Sequence, residues 1–140
     1  MYRRILIPTD GSDEAARGVD YGLTLAEEHG AAVDVLFVVD ERVYGETPAL
    51  GSFELALEEI EEQGHALVDA VGEEAAARDL TATCRCVRGV PHRAILDYAD
   101  ANDVDLVVMG KRGASGVEPP HLGSVTDRVL RLSERPVLPV

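Results

Sequence analysis

Two glycine corners, Gly110-Lys111-Arg112-Gly113 and Gly123-Ser124-Val125-Thr126, stand nine residues apart in this chain. The first follows a purely apolar run, Leu106-Val107-Val108-Met109, and the second opens a helical pattern that reaches Leu132. Glycine lets backbone N–H groups approach an anion closely, and a helix start adds unpaired donors and partial positive charge. Ser124 and Thr126 would bring hydroxyls to the same place, and Lys111 and Arg112 two cations. Such a set suits the phosphates of a nucleotide. Each piece also has a plainer reading. The glycines serve a flexible loop, Gly123-Ser124 an N-cap, and the two cations solvent.

The elements that would position these corners alternate regularly. Arg3–Pro8 reads as a short strand, and Ser12 caps a helix with Asp13 and Glu14 in its first turn, where the helix dipole favours them. Ala15, Val19, Leu23 and Ala26 form its apolar stripe, and Gly30 stops it. Ala32–Val39 is a near-continuous apolar strand, the pattern of a parallel sheet covered on both faces. A loop with Gly45 and Pro48 leads to a long helix from Ser52 to about Arg78, with Phe53, Leu57, Ile60, Leu67 and Val71 on one side. Thr81–Val87 is a strand, Pro91–Ala101 a helix, Val104–Met109 a buried strand, and a terminal strand begins at Val137. This alternation predicts one domain of 140 residues, a doubly wound α/β fold with a five-stranded parallel sheet. The order 3-2-1-4-5 would place Pro8-Thr9-Asp10 beside Met109-Gly110 at a topological switch point.

Asp10 lies just past the first strand. It could accept from a ribose hydroxyl or help hold a metal near phosphates, or simply serve an Asp-Gly turn. Net charge is −13, from 26 acidic and 13 basic residues, and of the basic residues only Lys111 is lysine. That balance disfavours nucleic acid and anionic membranes as partners. It fits a protein working in concentrated salt, or an ordinary acidic one. No apolar run has the length of a membrane span and no secretory pattern opens the chain, so the expected location is cytoplasmic. Cys84 and Cys86 alternate on a strand, share a face and are expected to be buried, unreactive thiols.

The spacing Gly-x2-Gly-x9-Gly-Ser resembles the ATP-binding signature of the universal stress protein family. Three further segments are similar to that family in the same order: Ile7-Pro8-Thr9-Asp10-Gly11-Ser12, Leu36-Phe37-Val38-Val39-Asp40 and Val87-Arg88-Gly89-Val90-Pro91. The closing Arg135-Pro136-Val137-Leu138 resembles its last strand, so the likeness covers the whole chain. The resemblance implies a Rossmann-like fold binding ATP or another adenine nucleotide with Mg. It implies a site of Pro8, Thr9, Asp10, Val38, Met109, Gly110, Lys111, Arg112, Gly113, Gly123, Ser124, Val125 and Thr126. In that scheme the Val38 backbone meets adenine, Asp10 is the candidate Mg ligand, and a homodimer forms through the last strand. Two segments depart from the family pattern. Val117-Glu118-Pro119-Pro120-His121-Leu122 replaces a polar stretch, and Pro139 interrupts the last strand.

A Gly-x4-Gly-Lys-Ser/Thr loop, a Gly-x-Gly-x-x-Gly turn after a strand, and a Gly-x-Ser-x-Gly elbow are all missing from the sequence. No general base is evident, so binding without efficient turnover is the expectation. A nucleotide-free dimeric scaffold is the alternative. A receiver-like phosphorylated domain is a third reading, but Asp10 lacks the adjacent acidic partner that such a site needs.

Overall fold

Nine regular elements follow one another in the computed structural model, which describes residues 2–44, 50–112 and 122–140. They are β1 (Arg4–Pro8), α1 (Asp13–His29), β2 (Ala32–Asp40), α2 (Leu50–Ala77), β3 (Ala82–Gly89), α3 (Pro91–Ala101), β4 (Leu106–Met109), α4 (Ser124–Leu132) and β5 (Val137–Pro139). A 3-10 turn, Glu41–Tyr44, follows β2. The five strands form one parallel sheet, as the alternation predicted, and they stand in the expected order β3-β2-β1-β4-β5.

Strand period two sends successive side chains to opposite faces. Ile5, Ile7, Val33, Val35, Leu106 and Val108 meet the α1 and α2 residues Val19, Leu23, Val68 and Ala75. Leu6, Leu36, Val107 and Met109 meet Ile95 and Ala99 of α3 and Val129 of α4. Asp34 sits among the buried residues, 1% exposed. Its carboxylate takes a forked pair from Arg4, Nε at 2.5 Å and NH2 at 2.8 Å, and the Tyr98 hydroxyl at 2.6 Å. A buried charge persists only when paired and hydrogen-bonded in this way. The trio ties β1, β2 and α3 together.

Helix ends follow the residues that precede them. Ser12 accepts the Ala15 N–H through its Oγ, and Gly30 closes α1 at φ +64°, where glycine carries no Cβ penalty. Pro91 begins α3 in the first helical position. The inner line of α2 differs from the expected stripe. Leu57, Gly64, Val68, Val71 and Ala75 are buried, whereas Ile60 and Leu67 are half-buried. Glycine sets this face: a Cβ at Gly64 would lie 2.4 Å from the Phe37 ring, and one at Gly72 would lie 2.7 Å from the Cys84 sulfur. Cys84 and Cys86 both face α2, half-buried, and burial raises both thiols above their ordinary range.

β5 lies at the sheet margin. The Val140 N–H donates to the Met109 carbonyl and the Lys111 N–H to the Val140 carbonyl, while Pro136 accepts from Val107. Positions 136, 138 and 140 therefore face β4, and positions 137 and 139 face outward. Proline at 139 is compatible with this edge because its missing N–H falls on the open side.

Candidate functional site

The sheet brings the two glycine corners together at the carboxyl ends of β1 and β4, where strand order reverses. The Gly123 N–H donates to the Lys111 carbonyl at 2.8 Å, a direct bond between them. Beside it opens a cavity of about 390 Å³, within the range of small-molecule sites. Of the expected residues, Pro8, Thr9, Asp10, Val38, Met109, Gly110, Arg112, Gly123, Ser124, Val125 and Thr126 line it. Lys111 does not line it; its backbone instead knits Val140 to Gly123. Gly113, the prolines at 119 and 120, Glu118 and His121 lie outside the described residues.

Several groups expected to face a ligand are already engaged. The Gly123 amide is spent on Lys111, so the donors left at this corner belong to the first turn of α4, which carries no side-chain cap. The Thr126 hydroxyl is buried and donates to the Gly110 carbonyl at 2.8 Å, so it braces the corner. Gly110 is glycine for a packing reason. A Cβ there would lie 2.5 Å from the Glu14 carbonyl oxygen in the first turn of α1. Asp10 forms the expected turn, its Oδ1 accepting the Ser12 N–H at 3.0 Å, with Gly11 at φ +82°. Ser124 is exposed on the cavity wall.

Arg112 lines the cavity as a cation held by Glu14. Its NH2 meets Glu14 Oε1 at 2.8 Å, and the two side chains are 20% and 25% exposed. That hydrogen bond and the guanidinium charge hold the Glu14 carboxyl below its usual range. Glu14 Oε2 is buried with no hydrogen bond among the described residues, 3.7 Å from Arg17. Guanidinium carries five donors, so Arg112 retains donors beyond the one that Glu14 engages.

Leu36, Asp40, Arg42, Pro91 and Ile95, which the sequence did not mark as site residues, also line the cavity. Asp40 ends β2, and its carboxylate accepts the backbone N–H, Nε and NH2 of Arg42 at 3.0, 3.0 and 3.1 Å. Burial pushes the Asp40 carboxyl upward, but the Arg42 bonds outweigh it and leave the group below its ordinary value. The Asp-x-Arg spacing after an apolar strand was the available signal. Among the described residues no group of three His, Cys, Asp or Glu could hold a metal.

The universal stress protein family model matches residues 1–140. The chain belongs to the universal stress protein family. It is 36% identical to universal stress protein MJ0531 of Methanocaldococcus jannaschii over 140 residues, covering 100% of this chain and 82% of that one. Its fold matches universal stress protein UspA from Lactobacillus plantarum with a TM-score of 0.91 and 27% identity, over 99% and 97% of the two chains. It also matches a universal stress protein solved in complex with cAMP, with a TM-score of 0.75, 28% identity and coverage of 99% and 97%. A universal stress protein of the same fold thus binds an adenine nucleotide. No helix among the described residues is long and apolar enough to cross a membrane.

Proposed function

We propose that this cavity is an adenine-nucleotide site, with ATP and Mg as its occupants, in a single-domain cytoplasmic protein of stress response. Occupancy serves as a signal or stabilises a partner-binding form, with little or no hydrolysis. The observation that carries this reading is the junction of the two corners at the switch point. It brings the α4 N-terminus, Arg112 and Val38 to the lining of one cavity. The cAMP complex of a relative supports it. A phosphate chain would meet the first-turn amides of α4 and Arg112, while Asp10 would accept from the ribose or share Mg. A single carboxylate fits Mg carried in by a nucleotide, because Mg is usually held by one or two carboxylates plus phosphate oxygens. The lining carboxylates, Asp10 and Asp40, already accept N–H groups, which supports binding over hydrolysis.

Spent donors at Gly123 and Thr126 favour a second reading of the same site, in which AMP or ADP binds better than ATP. The nucleotide-free scaffold remains the rival, a homodimer through β5 whose outward face carries Pro139. Melting with Mg-ATP against Mg-GTP tests the proposal. Saturation at a hundredfold over Kd stabilises by about 2.7 kcal/mol. A rise with ATP, AMP or ADP but not GTP is expected. Absence of any shift at millimolar adenine nucleotide, together with no nucleotide in an acid extract of the purified protein, leaves the scaffold reading.

A further inference from the structure

The chain has twice as many acids as bases, yet four basic residues on three separate elements either line the cavity, as Arg42 does, or follow within four positions of a residue that does. Arg42 follows β2, His92 and Arg93 lie in the first turn of α3, and Arg128 lies on α4, which packs against α3. Arg42 and Pro91 line the cavity, so the cluster is continuous with it. Arg93 and Arg128 are exposed and make no ion pair among the described residues. Asp127, next to Arg128, is taken by Arg131 at 3.1 Å, and Asp97, one turn along α3, does not reach Arg93. Asp40 answers Arg42 alone. The His92 Nδ1 is buried without a hydrogen-bond partner among the described residues. Burial, followed by the fields of Arg128, Arg93 and Arg42, lowers the His92 pKa below its ordinary value.

Arg93 and Arg128, like charges left unpaired among the described residues of an acid-rich chain, cost free energy that pairing with the surplus carboxylates would remove. We infer that this cluster is a second anion subsite, which takes a phosphate carried on the ribose of a nucleotide whose 5′ phosphates lie at Arg112 and the α4 N-terminus. The inference rests on the adenine-nucleotide reading above and names a ligand class within it: adenine nucleotides bearing a second, ribose-linked phosphate. Two sources share that chemistry, a ribose-phosphorylated mononucleotide and the phosphodiester of a dinucleotide. Arg42 would exchange part of its Asp40 fork for the phosphate, and Arg93 and Arg128 would close over it from the two helices.

Calorimetry on the full chain at low salt compares AMP, the 3′,5′ and 2′,5′ adenosine bisphosphates and the dinucleotide pApA. The wild-type protein is expected to bind at least one doubly phosphorylated ligand about tenfold more tightly than AMP, the increment of one set of charge-assisted hydrogen bonds. Added salt should shrink that advantage. The Arg93→Gln, Arg128→Gln double variant, altered only at exposed side chains, should bind AMP as before and lose the advantage. A gain with a bisphosphate alone identifies a terminal ribose phosphate, whereas a gain with pApA alone identifies a phosphodiester. Equal affinities in the wild type, or an advantage that survives in the double variant, overturn the subsite and leave AMP binding intact. Failure of AMP and every other ligand to bind overturns the nucleotide reading itself.

Discussion

Replacing Gly110 by alanine separates a glycine required by packing from one required by a ligand. The new Cβ would stand 2.5 Å from the Glu14 carbonyl oxygen, 2.7 Å from its carbon and 3.0 Å from the Ala15 nitrogen, all backbone atoms of α1. Ordinary contacts lie near ~3.5 Å, so the two backbones must part by roughly 1 Å. No rotamer change relieves this, because the obstructing atoms are main chain. The fit is tight from the other side as well, since a Cβ at Gly18 would meet the Gly110 nitrogen at 2.9 Å. Overpacking of this kind costs about 1–3 kcal/mol. For a chain of this length that is roughly 4 °C of Tm per kcal/mol. Urea unfolding should show a lower midpoint at unchanged m-value. Gly89→Ala is the control: its Cβ would meet only the Ala94 methyl, at 3.8 Å, and its midpoint should stay put. A Gly110→Ala protein with the wild-type midpoint and weakened nucleotide binding would refute the packing argument and return this glycine to the phosphates.

Two further outcomes follow from the same geometry. Thr126→Val keeps the shape but strips the buried Gly110 carbonyl of its donor, which should cost about 1–3 kcal/mol in urea unfolding; unchanged stability would mean that the hydroxyl does not brace the corner. The Tyr98 phenol is pushed up to about 12, first by burial and then by its bond to Asp34 and that residue's charge. Unfolded tyrosine ionises near 10, so between those values the native state holds the extra proton and stability falls as pH rises through the window. Tyr98→Phe should flatten that slope, and an identical slope in the variant would detach the alkaline loss from this residue.

The succession of strands and helices was readable because near-continuous apolar runs alternated with amphipathic helices, and each boundary carried its own marker. Ser12, Gly30 and Pro91 each stand where a helix begins or ends. The face of α2 was misread at Leu67 and Val68, because Gly64 and Gly72 admit Phe37 and Cys84 and so rotate the buried line in a way no apolar count registers. At the site, residue types indicated which backbone could approach an anion. They could not indicate which donors the fold itself consumes, as with the Gly123 amide and the Thr126 hydroxyl. Asp40 and Arg42 escaped for a related reason: they face the cavity only because β2 ends beside β1.

At position 139 the outer margin of the sheet offers a carbonyl and no hydrogen to share. A strand arriving there finds one outward donor, at Val137, and then a position that can only receive. The margin thus receives more hydrogens than it gives, so a second copy laid antiparallel along it would find a reciprocal partner at Val137 and none at 139.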